Sequence, residues 1–439
     1  MNSDNSIILG GGITGLAAGV VSGYAVYEKK EIPGGLCASY YLTSGGTRTY
    51  ERVSGDSYRF EIGGGHWIFG ATGPVERFLR NFAICREYKR SSGVLLSRFN
   101  KIIPYPLQYH LSYFPEDVQT RILKEINERH EHPAKKPVTL AEWLEGTFGP
   151  TLYELFFGPF HALYTDGLFT RVACSDTYKS PFDKSLIARE ARPSEEIGYN
   201  TRFLYPEAGL DALISSMASR CDILYNKEAV RIDAKRKRVH FSDGTSRGYE
   251  RLISTLPLHH TLYLCRADLN EPFAYTSVLV VNVGAQKGRT YPKEHWVYMP
   301  HTRSGFHRVG FYSNVDASFL PARASSTTGS LYIEKAFTGG TALSMDERQH
   351  IARSMIDEVT EMEFISSVDV YDVTWIDVGY TWNYPGSSWR ERAIALLQEQ
   401  DIFPLGRYGL WQFQGLAQSV EEGMNVVEKM QGARVCERT

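Results

Sequence analysis

Six consecutive residues near the amino terminus, Gly10-Gly11-Gly12-Ile13-Thr14-Gly15, carry the spacing with which a backbone holds a pyrophosphate. In a G-x-G-x-x-G turn the first glycine, Gly10, permits the tight bend. Gly12 lets phosphate oxygens reach the main chain, and Gly15 lets a helix pack close to a strand. The flanks agree. Ser6-Ile7-Ile8-Leu9 reads as a buried strand, Leu16 to Val21 as a helix, and Tyr24 to Glu28 as a second strand ending in an acid. The helix start offers free N–H groups and a positive dipole end to phosphates, and Glu28 can accept hydrogen bonds from ribose hydroxyls. Strand, glycines, helix, strand and acid in that order predict a dinucleotide site for FAD or NAD(P).

Other residues could do chemistry. Glu61 alternates with apolar neighbours in Arg59-Phe60-Glu61-Ile62, so it is either a general base or the partner of an arginine. His66 follows Gly63-Gly64-Gly65, and glycines allow close approach to a planar ring; the alternative is a histidine that only closes a loop. Arg308 lies among apolar residues, where a buried guanidinium needs an anion: a substrate or an internal carboxylate. Trp296, Tyr298, Tyr384 and Trp411 either line a substrate pocket or are core. Arg407, beside Gly406, is a candidate contact to the cofactor. Lys235-Arg236-Lys237-Arg238 sits between two strands and reads as a solvated hairpin turn. Neither a Ser-His-Asp arrangement nor a metal-ligand spacing appears, so no metal is expected.

Several elements must position these groups. Leu210–Ser219 reads as a helix. Ile223–Asn226, Ala229–Ile232 and Val239–Phe241 read as strands, and Arg251–Pro257 as a strand that stops at its proline. Residues 416 to about 430 read as a tail helix. Between these blocks, 75–200 is helical in character and 132–137 looks like a surface loop. Residues 275–335 and 365–376 are rich in β-formers, predicting a mostly antiparallel sheet. The expected fold is α/β: a Rossmann-type domain split over 1–74, 201–260 and 396–439, a helical substrate subdomain over 75–200, and a β-rich substrate domain over 261–395.

Composition narrows the function. The 439 residues hold 48 Lys plus Arg against 50 Asp plus Glu, a net charge of -2, which argues against nucleic-acid binding or a polybasic membrane patch. A 43% hydrophobic, 22% charged chain can bury a large core. No apolar stretch reaches the ~20 residues of an integral membrane span. The six cysteines form no CxxC pair and read as reduced thiols of a cytoplasmic protein. A small-molecule substrate is expected; nothing here sets the oligomeric state.

Further motifs carry a family resemblance. Pro33-Gly34-Gly35-Leu36, Gly64-Gly65-His66-Trp67-Ile68-Phe69, Pro104-Tyr105-Pro106-Leu107-Gln108, Trp296-Val297-Tyr298-Met299-Pro300, Phe306-His307-Arg308 and Gly406-Arg407-Tyr408-Gly409-Leu410-Trp411 occur in the order seen in UDP-galactopyranose mutases. The chain resembles that family, within the FAD-dependent superfamily of amine oxidases and protoporphyrinogen oxidases. The resemblance implies FAD. It places Gly35 and Leu36 beside the pyrophosphate, the backbone of Val230 near the adenine, and His66 near the flavin. The tail helix, with Ala417 and Ser419, falls at the flavin pyrimidine, although an ordinary packing helix is the alternative; Arg407 contacts either the flavin or its pyrophosphate. Arg308 falls at the substrate phosphate and Tyr384 at a substrate tyrosine. The pattern departs at Val315 and Phe413, where the mutases carry tyrosines. It has no clean counterpart for their second arginine; Arg171 and Lys179 are the candidates. Phe413 would then line the pocket without a hydroxyl. These losses favour an oxidoreductase that takes a hydride at flavin N5 from a C–N or C–C bond, amine-oxidase-like and expected in a biosynthetic role. The alternatives are a non-redox sugar ring contraction on reduced FAD, as in the mutases, and a binding protein without turnover.

Overall fold

The computed structural model describes residues 5–43, 45–51, 55–131, 136–174, 180–189 and 200–430. The amino-terminal strand, Ile7–Leu9, is entirely apolar and at most 1% exposed, because it runs through the middle of a five-stranded parallel sheet. Ala25–Tyr27 and Ile223–Leu224 lie on one side of it; Leu252–Ser254 and Ile402–Pro404 lie on the other. Strands far apart in sequence thus build one Rossmann-type sheet. The first helix, Ile13–Ser22, starts at Gly12 and ends at Gly23, whose φ of 72° lets the chain reverse. The tail helix, Leu416–Met424, packs along it. That contact is close: a Cβ on Gly423 would stand 2.4 Å from the Thr14 carbonyl oxygen.

A second sheet of seven strands carries the far side of the molecule. Its order is Ile365–Trp382, Ala274–Lys287, Thr328–Thr338, Arg308–Phe311, Trp296–Tyr298, Ser92–Leu96, Lys101–Pro104. All neighbours pair antiparallel except Trp296–Tyr298 with Ser92–Leu96. Its last two strands come from the stretch expected to be helical. They are short apolar runs whose identity depends on a distant partner, and at Gly93 an added Cβ would stand 2.4 Å from Ile102. Cys85–Lys89 likewise pairs with Arg202–Pro206. The helices of that stretch are present as well, chiefly Gly73–Arg80, Glu116–Glu131 and Leu140–Leu152. Lys235 to Lys237 form the turn between Ala229–Asp233 and Arg238–Phe241, with Lys237 paired to Asp401. Most of the expected 132–137 loop, and Lys179, lie outside the described residues. Among the described residues no helix is long and apolar enough to cross a membrane.

Candidate functional site

The glycine turn forms where the sequence places it. Gly10 has φ 98°, and a Cβ on Gly15 would stand 2.0 Å from the Gly10 carbonyl oxygen, so strand and helix touch there. A Cβ on Gly12 would meet nothing within 4 Å, which leaves its backbone open to a ligand. Gly12 provides no side-chain cap to the first N–H groups of the helix, and it forms a parallel bridge with Gly34. The Gly34-Gly35 turn lies alongside: the Gly34 N–H donates to the Gly11 carbonyl at 2.8 Å. Gly35 and Leu36 keep partial solvent access. Glu28 is buried, and its carboxylate accepts from the N–H of Gly11 at 2.7 Å and of Lys30 at 2.9 Å. Both oxygens retain lone pairs for ribose hydroxyls. Val230 sits at the bulge in Ala229–Asp233 with its side chain exposed. These residues fit the pyrophosphate and adenosine end of FAD.

The expected flavin end lies between the two sheets. Gly406, with φ 73°, sits against Thr14, and the following turn leads to the tail helix. Gly415 supplies no side chain to that helix start; Ala417 is buried, and the buried Ser419 closes the first turn through its N–H to the Gly415 carbonyl at 3.0 Å. The Gly415 N–H donates to the Gln418 side-chain oxygen at 2.9 Å, and the N–H groups of Leu416, Ala417 and Gln418 stand ahead of the first intrahelical bond. His66, Arg308, Tyr380 and Tyr408 are surrounded by protein, yet each keeps solvent-accessible surface. That combination marks a deep cleft. Two other cavities, of about 360 and 470 Å³, share His301 and involve none of these groups.

Electrostatics in the cleft are fixed by pairing. The His66 Nδ1 lies 3.0 Å from the Gly64 carbonyl oxygen. A carbonyl only accepts, so Nδ1 carries the proton and Nε2 is left as an acceptor. Burial, aided by Arg407, pushes the His66 pKa down and keeps the ring neutral. Arg308 meets Glu334 directly across the strand pair, with Nε to Oε2 2.8 Å and Nη2 to Oε1 2.7 Å. Of the two partners the sequence allowed, the internal carboxylate is the one in place. Burial alone would raise the Glu334 pKa, but Arg308 and His307 override it and hold it at about 2. Arg407 donates to the Gly379 carbonyl at 2.8 Å and the Gln414 carbonyl at 3.3 Å, and lies over the rings of Phe413 and Tyr380.

Aromatic residues pack behind these groups. Tyr298 makes edge contacts with Tyr105 and Phe160, and Tyr164 with Tyr380. Trp296 meets Phe69, three residues past His66.

Three expectations need correction. Trp411 does not line this cleft: it is 1% exposed within a cluster of His259, Phe273, Tyr275 and Trp389, on the core that covers the parallel sheet. Tyr384 lies past the end of its strand and packs on apolar core; the tyrosine beside Arg308 and Arg407 is Tyr380. Glu61 is 0% exposed and both its oxygens accept hydroxyls, from Tyr205 at 2.6 Å and Ser39 at 2.9 Å, so it cannot act as a base in contact with substrate. Sequence reasoning missed Glu334 and Tyr380. An acid inside the apolar run Leu331-Tyr332-Ile333 was the available signal for the first.

Residues 16–393 match the sequence profile of a family described as flavin containing amine oxidoreductase. A reduced UDP-galactopyranose mutase shares the fold with a TM-score of 0.83 at 20% identity, over 98% of this chain and 94% of that one. Wild-type putrescine oxidase bound to putrescine gives 0.60 at 14%, over 98% and 99%. A CLA-producing fatty acid isomerase from P. acnes gives 0.59 at 15%, again over 98% and 99%. At such identities the likeness is one of fold.

Proposed function

The chain belongs to the flavin containing amine oxidoreductase family, and on that premise we propose that it oxidises a small, largely apolar molecule at a C–N or C–C bond. It is a flavin-dependent enzyme and its cofactor is FAD. Gly10, Gly12, Gly15, Glu28, Gly35 and Leu36 hold the dinucleotide, with Val230 at the adenine; Arg407 and the tail helix start, with Ala417, face the ring. FAD supplies the hydride acceptor. The protein's part is to orient the substrate, exclude water and place positive potential where charge accumulates.

The observation that carries this reading is the lining. Both guanidinium groups of the cleft, Arg308 and Arg407, already donate to protein oxygens, and aromatic rings pack against them: Tyr332 against Arg308, and Tyr380, Tyr408 and Phe413 against Arg407. Val315 and Phe413 bring no hydroxyl. A diphosphate would have to displace internal partners, whereas a neutral hydrocarbon surface meets matching walls. Tyr298 and Tyr380 bound the substrate, and His66 Nε2 is the acceptor available for a substrate proton.

The fold match to the mutase, at 0.83 against 0.60 for the oxidase, favours a second reading: non-redox isomerisation that needs the flavin reduced beforehand. Anaerobic mixing of oxidised holoenzyme with a panel of amines and unsaturable hydrocarbons separates the two. Bleaching of the flavin, with peroxide on admission of air, supports oxidation. Turnover of a nucleotide sugar only after chemical reduction, with no net oxidation, overturns it.

A further inference from the structure

A buried polar cluster behind the cleft takes no part in the chemistry above. Its members are Ser39, the pair Arg59 and Glu61 of one strand, Tyr205 and Asp211. Arg59 is 1% exposed. It donates to the Tyr205 hydroxyl at 3.1 Å, the Ala208 carbonyl at 3.2 Å and the Ser318 hydroxyl at 3.0 Å, and faces Asp211 at 3.6 Å. Tyr41 donates to Asp211 at 2.6 Å. Of the neighbours, the Cys37 thiol and the Tyr312 hydroxyl are pushed up by burial and by Glu61, and the Tyr40 hydroxyl by burial and by Asp372; Tyr312 donates to Asn282 and Tyr40 accepts from it, so none carries charge near neutrality. One guanidinium thus serves two carboxylates. Asp211 keeps 20% side-chain exposure and Glu61 none, so the unmatched proton belongs on Glu61. Burial, against the pull of Arg59, raises the Glu61 pKa to about 7.

The position of Glu61 gives that proton a consequence. Ser39 lies two residues beyond the Gly35–Cys37 turn, and Glu61 two residues ahead of Gly63. The two stretches are zipped by Ile62 N–H to the Ala38 carbonyl at 2.9 Å and Gly63 N–H to the Leu36 carbonyl at 3.2 Å. The Glu61 carbonyl accepts from Gly64 N–H at 3.3 Å and from Asn282 at 3.0 Å. The Ser39–Glu61–Tyr205 bridge therefore ties the turn at the pyrophosphate to the loop that carries His66. An ionised carboxylate accepts from both hydroxyls; a protonated one must donate to one of them, and the Tyr205 oxygen already accepts from Arg59.

We propose that Glu61 is a positioning residue for the flavin: its carboxylate holds the Gly35–Cys37 turn and the 63–66 loop in register through Ser39 and Tyr205, and gain of a proton there loosens that register. The proposal rests on FAD binding and is independent of which reaction the flavin runs. It is tested on the FAD-loaded full chain by following the visible flavin spectrum and the FAD dissociation constant from about pH 5.5 to 8.5. The wild type is expected to show one transition near neutrality, with FAD bound about tenfold more weakly on the acid side, the scale of converting charge-assisted hydrogen bonds to neutral ones. Glu61→Gln should lack the transition and bind FAD in the weaker mode throughout; Glu61→Asp should restore a transition. A purely structural role would lower stability without moving the pH profile. A Glu61→Gln variant that keeps the transition overturns the proposal. So does a wild-type spectrum and affinity flat across neutrality, a result that needs no variant to fold.

Discussion

Removing the Glu334 carboxylate should unbalance the cleft severely. Glu334→Ala strands Arg308, whose side chain is only 17% exposed, without its partner in both hydrogen bonds. At about 4 Å between charge centres and an effective dielectric near 20, the Coulomb attraction is ~4 kcal/mol. Losing one partner of a buried pair costs about 3–5 kcal/mol. Urea unfolding of the FAD-loaded protein should therefore lose about 3–5 kcal/mol in Glu334→Ala. The double replacement Arg308→Met with Glu334→Leu removes both charges and should recover most of that loss, to within about 2 kcal/mol of wild type. The acid side checks the same pair. The folded pKa of Glu334, about 2, lies below its unfolded value of 4.5. The stabilisation is thus complete above the unfolded value and disappears as pH falls through about 2. A Glu334→Ala protein within about 1 kcal/mol of wild type would refute the reasoning, because Arg308 would then have another acceptor or water.

Two further outcomes concern the cofactor. Gly423→Ala pushes a methyl against the Thr14 carbonyl and the Ala17 side chain, both under 3 Å from the new Cβ, and should cost about 1–3 kcal/mol in unfolding while weakening FAD retention measured by dialysis. Glu28→Gln turns an amide donor toward the Gly11 or Lys30 N–H; FAD affinity, followed by fluorescence quenching, should fall by about tenfold or more, since a buried mismatched donor costs about 1–3 kcal/mol.

The cofactor nest was legible because its logic is local. Gly10, Gly12, Gly15 and Glu28 lie within one strand–helix–strand unit; Gly10 and Gly15 answer to close approaches that a Cβ would block, and Gly12 leaves open space beside the backbone. The seven-stranded sheet was half legible. Its long β-rich runs stand out, whereas Ser92–Leu96 and Lys101–Pro104 become strands only by pairing with each other and with Trp296–Tyr298. The Arg308 partner was open for the same reason: Glu334 faces it through strand register, which no local spacing encodes. Trp411 misled because an aromatic residue looks alike whether it walls a cleft or fills a core. Glu61 misled because alternation shows that a side chain points inward, not what it meets there.

The most direct test of the account is a titration of apoprotein with FAD, followed by flavin absorption, on the wild type and on Gly12→Glu, which sets a carboxylate where the open backbone should receive phosphate. Saturation at one FAD per chain in the wild type, lost in the variant, is the predicted result. No uptake by the wild type, or equal uptake by both proteins, would contradict it.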